Sequence, residues 1–263
     1  MGMSANQKHL LRSDRDGGAT LTMNRSGTRN ALSADLIANL QAEFREIASN
    51  ANIRVVVLSA NGPVYCSGHD LNEIRQNQNQ AAYEELFTEC SKLMLMITKL
   101  PQPVIARVQG TATAAGCQLV ATCDLAVASE KAAFATPGVN IGLFCSTPMV
   151  ALSRNIGPKQ AMEMLLTGEV IDAEKAKNIG LINKVCPEKE LDEIIDNWCS
   201  NLKSKSPLTI KIGKDAFYQQ IDLPLDEAYD FASDVMVNNM MTMDAGEGID
   251  AFLEKRQPVW KGK

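Results

Sequence analysis

The sequence predicts an α/β fold in which most strands run parallel. Short apolar runs rich in β-branched residues recur at 53–59, 103–108 and 124–128. Segments with the periodicity of amphipathic helices lie between these runs. This alternation is typical of parallel sheets that are covered by helices on their faces.

Local signals define the elements of the first hundred residues. Ser33 is the expected N-cap of a helix, because its hydroxyl directly precedes an apolar stripe of helical spacing. Pro101 is expected to end a later helix, since proline cannot donate a backbone hydrogen bond. The predicted elements are a strand at 19–23, a turn-rich loop at 24–33, a helix at 34–49, a strand at 53–59, a loop at 61–71 and a helix at 80–99.

The remaining elements divide into two regions. Strands are expected at 103–108, 124–128 and 181–185, with helices between them. From about residue 200 the pattern is helical, with segments at 207–220, 224–243 and 244–256. We therefore expect a core over residues 1–200 and a C-terminal helical region over 201–263 that could supply an oligomer surface.

Composition narrows the functional classes. The net charge of −5 and the isoelectric point near 5.2 disfavour a nucleic acid or an anionic membrane surface as partner. No apolar run approaches the roughly 20 residues of a membrane span. The N-terminal 18 residues lack the apolar stretch of a secretion signal.

The cysteines indicate a reducing compartment. There are seven of them and no Cys-x-x-Cys pair, and only two histidines are present, so we expect no metal site. Reduced thiols are typical of a cytosol-like environment, which predicts a cytoplasmic location. The cysteines stand at positions 66, 90, 117, 123, 145, 186 and 199.

Two loops that follow predicted strands could carry chemistry. One spans 61–71, and the other is the run of very small residues at 110–117, which opens a helix. Because ligands collect at the carboxyl ends of parallel strands, the backbone N–H groups of His69 and Ala115 could converge there. Two such donors would stabilise an oxyanion, each contributing about 3–4 kcal/mol. The alternative is that the small residues only permit close packing of a helix on a strand.

The chain resembles the enoyl-CoA hydratase/isomerase family, the crotonases, over about residues 15–260. Its ATAAGCQL and GLFCSTP segments are similar to a branch named for an enoyl-CoA hydratase domain. The segments that carry the resemblance are, in order, NRSGTRNALS, SGHDL, PVIARVQGTATAAGCQL with CDLAVAS, FATPGVNIGL, LLTGEVIDAEKAKNIGLINKV and EGIDAFLEKRQPVW.

The resemblance implies a crotonase-like spiral of ββα units with a C-terminal helical trimerisation region. It implies a homotrimer or a dimer of trimers that binds a small-molecule acyl-CoA, with no permanently bound cofactor and coenzyme A thioester as the substrate. The thioester carbonyl would lie between the backbone N–H groups of His69 and Ala115.

The resemblance also implies contacts to the coenzyme A tail. Arg25 would lie near the diphosphate. Phe252 and Lys255 would close over the adenine end, from a neighbouring subunit. The residues that would border the adenine and the pantetheine are Cys66, Ser67, His69 and Leu71.

The family's two catalytic glutamates are absent. The resemblance places one at Gln118 and the other at Gly138. Glutamine cannot exchange a proton at neutral pH, and glycine has no side chain. Cys145 and Ser146 lie in the same part of the resemblance and are candidate replacements, although a cysteine in an apolar loop is more often a small buried residue.

Two classes of function follow. The first is an acyl-CoA enzyme that stabilises a thioester enolate in an oxyanion hole, for hydration or for isomerisation, thioester hydrolysis or decarboxylation. The second is an acyl-CoA-binding protein without turnover. A third hypothesis, RNA binding, is disfavoured by the negative net charge and the absence of a run of lysines and arginines.

Overall fold

The computed structural model describes residues 8–263 and contains two sheets. Residues 1–7 lie outside the described part. They include the first residues of the predicted core and of the N-terminal segment discussed above. The six-stranded sheet has the order β1-β2-β3-β5-β7-β10, and the four-stranded sheet has the order β4-β6-β8-β9. The strands are β1 (Leu10–Arg15), β2 (Gly18–Met23), β3 (Val55–Ala60), β4 (Val64–Cys66), β5 (Val104–Val108), β6 (Thr111–Thr113), β7 (Leu125–Ser129), β8 (Ala133–Ala135), β9 (Ile171–Asp172) and β10 (Lys184–Cys186).

Eleven α-helices accompany these strands within residues 8–263. They are α1 (Ala34–Ser49), α2 (Leu71–Gln76), α3 (Gln80–Lys99), α4 (Ala115–Thr122), α5 (Ser146–Asn155), α6 (Pro158–Thr167), α7 (Ala173–Asn178), α8 (Leu191–Lys203), α9 (Pro207–Gln220), α10 (Leu225–Met240) and α11 (Met243–Glu254). Ser33 caps α1 as predicted, since its Oγ accepts the Leu36 N–H at 3.2 Å. None of the described helices is long and apolar enough to cross a membrane.

The fold is the predicted α/β spiral. Three successive turns of chain each place one strand in the large sheet and the next in the small sheet, and then form a helix: β3 and β4, β5 and β6, β7 and β8. Within the large sheet, β2, β3, β5, β7 and β10 are parallel, and only β1 is antiparallel. The strand predicted at 181–185 begins at Lys184, three residues late, because the Leu181 N–H donates to the Ala176 carbonyl of α7 and not to the neighbouring strand.

Strand β3 shows why these segments are apolar throughout. All six of its residues are buried. Val56 and Leu58 face the main core, whereas Val55 and Val57 face a second apolar cluster under α8. Because side chains alternate between the two faces of a strand, both faces must be apolar. The predicted boundary at residue 200 lies inside α8, and the division into two regions stays a prediction.

A buried ion pair attaches the C-terminal helices to the core. Lys214 on α9 lies 2.6 Å from the carboxylate of Asp124, and their side chains are 7% and 15% exposed. The Lys214 ammonium also donates to the carbonyls of Ile97 and Gln102, and Tyr218 donates to Asp124. Asp124 further accepts the N–H of Val104, so one carboxylate joins α9 to the start of β5.

We expect Lys214→Met to lower the free energy of unfolding by about 3–5 kcal/mol, because it leaves the Asp124 carboxylate buried without its partner. Urea denaturation measures this change. Lys211→Met, on the exposed face of the same helix, should cost less than about 0.5 kcal/mol. Equal losses in the two variants would contradict a specific role of the pair.

Candidate active site

A cavity of about 560 Å³ lies beyond the carboxyl ends of β4, β6 and β8. These three strands are neighbours and parallel, so the loops that follow them converge at one edge of the small sheet. The cavity is lined by Ser67, His69, Leu71, Ile74, Phe87, Ala114, Ala115, Pro137, Gly138, Asn140, Ile141, Leu143, Phe144, Cys145, Ser146, Thr147 and Pro148. The wall is mostly apolar, and none of these residues is an aspartate or a glutamate.

The backbone of His69 is fixed by a bridge to Leu32. The Leu32 N–H donates to the carbonyl of Gly68 at 2.8 Å, and the N–H of Asp70 donates to the Leu32 carbonyl at 3.2 Å. The peptide groups on both sides of His69 are therefore held by one residue. In this pattern the His69 N–H points away from Leu32, and it has no acceptor within residues 8–263.

The Ala115 N–H is the first donor of helix α4. The four N–H groups of a helix's first turn have no partner inside the helix, and that of Ala115 has no acceptor elsewhere in the described chain. The preceding Ala114 has φ 50° and ψ −119°, and its own N–H donates to the Ala135 carbonyl at 2.9 Å. A non-glycine residue in this conformation costs about 1–3 kcal/mol, strain of a kind that clusters at functional sites.

Two glycines allow the two loops to approach. Gly68 has φ +97°, and a Cβ added there would lie 2.9 Å from the Ala114 Cβ and 3.4 Å from the Ala115 N. A Cβ on Gly116 would lie 2.1 Å from the Cys66 carbonyl oxygen. Close packing thus explains Gly116, and the same packing brings the His69 and Ala115 segments side by side.

Neither position expected for a glutamate supplies one to the cavity. Gln118 is buried in α4, does not line the cavity, and has no partner for its Oε1 among the described residues. Gly138 lines the cavity, but a Cβ there would lie 2.7 Å from the Leu143 carbonyl oxygen and 2.9 Å from the Cys145 Sγ. The Leu143 carbonyl and the Cys145 thiol therefore occupy the space in which a side chain at 138 would begin.

Cys145 and Ser146 line the cavity without an activating neighbour. Burial raises the pKa of the Cys145 thiol, and a hydrogen bond with the Gly138 backbone only partly opposes this shift. The Ser146 hydroxyl donates to the Phe144 carbonyl at 3.4 Å. A nucleophile of either type needs a base within hydrogen-bond reach, and the described contacts include none.

The imidazole of His69 is an uncharged part of the wall. It meets the Phe87 ring edge-on, with ring centroids 5.4 Å apart, and its Nε2 is buried without a partner in the described chain. Burial lowers the pKa of His69 to about 4. The ring is therefore neutral at physiological pH, and it adds no charge to the cavity.

The residues expected to contact the coenzyme A tail are only partly at the cavity. Ser67 and Leu71 line it. Arg25 does not: it donates to the Ala31 carbonyl at 2.6 Å and to Asp70 at 3.1 Å. Cys66 is fully buried in β4, where burial raises its thiol pKa to about 12.

The two residues at the end of α11 that are expected to contact coenzyme A do not line the cavity of their own chain. Phe252 is 83% exposed, Lys255 ends α11 in the left-handed conformation, and neither lines the cavity. Phe87 and Ile74 also line the cavity, and the sequence did not predict them there. They lie on α3 and α2, and no local sequence pattern indicates that these helices pack over the two loops.

We expect the His69 ring to titrate near pH 4, because its charged form is poorly solvated in the wall. Between about pH 6.5 and 4 the unfolded chain then binds a proton that the folded chain does not. His69 should therefore destabilise the fold as pH falls through this window and have no effect above it. Proton–carbon NMR of the two imidazoles measures the pKa, and His69→Gln assigns the signal. A midpoint at or above 6.5 for that signal would contradict the buried, neutral ring.

Curated relatives cover nearly the whole chain. The human protein named enoyl-CoA hydratase domain-containing protein 3, mitochondrial, is 48% identical over 245 residues, which are 93% of this chain and 81% of the relative. The rat protein of the same name is 46% identical over 93% of this chain and 82% of the relative. Both are named as mitochondrial, so the prediction of a cytoplasmic location is wrong. Reduced cysteines report the redox state of a compartment and not its identity.

A solved structure shares the whole architecture. The enoyl-CoA hydratase of Mycobacterium smegmatis matches with a TM-score of 0.95 and 50% identity, over 97% of this chain and 99% of that one. The family model for enoyl-CoA hydratase/isomerase matches residues 14–263. The spiral of paired strands, the cavity at their ends and these matches agree, and the chain belongs to the enoyl-CoA hydratase/isomerase family.

Proposed function

We propose that the chain binds acyl-CoA thioesters in the cavity beyond β4, β6 and β8. The thioester oxygen accepts hydrogen bonds from the N–H groups of His69 and Ala115, which stabilise an enolate in a largely apolar site. The observation that carries this proposal is that both residues line the cavity and that their N–H groups have no acceptor in the described chain. The tail of the ligand runs past Ser67 and Leu71 towards Arg25.

We propose further that the reaction is not hydration by paired carboxylates. Addition of water needs a base for the water and an acid for the α-carbon, and each such group contributes about 10²–10⁴ in rate. Gln118 and Gly138 provide neither the base nor the acid, and no described aspartate or glutamate lines the cavity. Isomerisation, thioester hydrolysis or decarboxylation use the same oxyanion hole with fewer or different proton carriers.

A binding protein without turnover is the second candidate. It is favoured by the absence of an activated group, since burial raises the pKa of Cys145 and lowers the pKa of His69 to about 4, which makes its ring a weak base. Both candidates share the thioester site, and they differ only in whether a product forms.

Oligomerisation would complete the site. Large apolar side chains are exposed along the C-terminal helices, at Leu225, Tyr229, Met241, Phe252 and Leu253. We propose that they are covered in a homotrimer or a dimer of trimers, where Phe252 and Lys255 of one copy close over the coenzyme A of another. Light scattering after size-exclusion chromatography tests this, and a monomer at micromolar concentration would contradict it.

We expect acetyl-CoA to stabilise the purified protein more than ethyl-CoA, the thioether that lacks the carbonyl oxygen. Ligand present at about 100 times its dissociation constant raises the free energy of unfolding by about 2.7 kcal/mol. Thermal unfolding with each compound, and with free coenzyme A, measures the contribution of the carbonyl.

Equal stabilisation by acetyl-CoA and ethyl-CoA would contradict the amide contacts. The same preparation is then given crotonyl-CoA, and the loss of enoyl absorbance is followed. We expect no hydration above the background rate, and rapid hydration would show that an unassigned group replaces the two glutamates.

A further inference from the structure

The oxyanion hole depends on two amides from separate segments of chain. His69 follows β4, and Ala115 follows β6. The backbone ladder between these strands pairs Val64 with Thr111 and Cys66 with Ala112, and then it stops. Beyond that point the backbone ladder no longer fixes the distance between the two amides.

One side chain continues the connection. The hydroxyl of Thr113 donates to the carbonyl of Ser67 at 3.1 Å. Thr113 lies two residues before Ala115, and Ser67 lies two residues before His69. Among the described residues, this is the one hydrogen bond that joins segment 67–70 to segment 113–116.

Both partners of this bond are held by other contacts. Thr113 pairs through its backbone with Ala135 on β8, and the N–H of Ser67 donates to the Arg29 carbonyl at 3.1 Å. The bond therefore joins two supported segments. The contact between Gly68 and the Ala114 methyl limits how closely the segments can approach, but it cannot hold them together.

We infer that Thr113 is a positioning residue of the oxyanion hole, whose hydroxyl sets the separation and alignment of the His69 and Ala115 amides. This inference rests on the proposed function of those amides. Hydrogen bonds weaken steeply when donor and acceptor lose alignment, and a displacement of about 1 Å in a site can cost about 10²-fold in rate. The role requires the hydroxyl and not the methyl group of threonine.

The test is spectroscopic, because it must report on the thioester carbonyl and not on the fold. The probe is 4-dimethylaminocinnamoyl-CoA, whose absorption moves to longer wavelength when its carbonyl accepts hydrogen bonds. Thr113→Val removes the hydroxyl and keeps the shape of the side chain, and Thr113→Ser keeps the hydroxyl. Thr113→Ala is a second variant without the hydroxyl, for use if valine prevents folding.

We expect the wild type and Thr113→Ser to give the full shift in wavelength at saturating probe. Thr113→Val and Thr113→Ala should lose about half of it or more, since at least one of two donors is misaligned. Their affinity for free coenzyme A should fall far less than the shift, because the lost bond involves the Ser67 backbone carbonyl and not the side chain that is proposed to border the tail. Circular dichroism confirms that each variant is folded.

The outcomes separate the two proposals. A full shift in the folded variants without the hydroxyl overturns the role of Thr113 and leaves the oxyanion hole in place. A loss of the shift in Thr113→Ser as well would also overturn it, because the hydroxyl would then be insufficient. The absence of any shift in the wild type overturns the oxyanion hole itself, and the positioning role with it.

Discussion

The parallel pairing of β4, β6 and β8 is the constraint on which the site depends. Each strand has only three residues, yet their order sends the loops after Cys66, Thr113 and Ala135 to one edge of the sheet. The large sheet makes this possible, because β3, β5 and β7 begin each turn of the spiral in parallel register. The site is thus assembled from backbone geometry. This explains how its donors can be main-chain amides although the side chains there are small or apolar.

Most of the large sheet could be predicted from the sequence, although β1 was not predicted and β10 was predicted three residues early, and the small sheet could not be predicted. The strands β3, β5 and β7 are mostly apolar runs of five or six residues, and α1 and α3 have a clear apolar stripe. By contrast, β4, β6, β8 and β9 have two or three residues each, too few to show a period of two. Thr111–Thr113 also lies inside a run of small residues that is typical of a loop. These strands form because the spiral brings their neighbours into place, and that information is not local.

In the site, too, some features could be predicted from local sequence and others depend on the assembled fold. That His69 and Ala115 border one cavity could be predicted, because each follows a strand and small residues surround them. Phe87 could not, since it reaches the cavity from the middle of α3. The sequence shows that Gly138 lacks a carboxylate, but only the structure shows that Leu143 and Cys145 fill the space beside it. The loss of that glutamate is therefore built into the path of the loop, and a change at one position would not restore it.

The missing carboxylates change the electrostatics of the hole as well as its proton chemistry. A carboxylate 4 Å from an enolate oxygen would oppose its charge by about 4 kcal/mol at an effective dielectric constant of 20. No described aspartate or glutamate lines this cavity, and the His69 ring is neutral, so in the proposed complex the amides and the N-terminal dipole of α4 would act on the oxygen without an opposing charge from the wall. Such a site would stabilise an enolate well and move protons poorly. Of the proposed reactions, it would suit decarboxylation best, because the departing carbon dioxide leaves its electron pair to the enolate, and it would equally suit binding alone. Isomerisation fits it less well, because that reaction must remove a proton from the α-carbon.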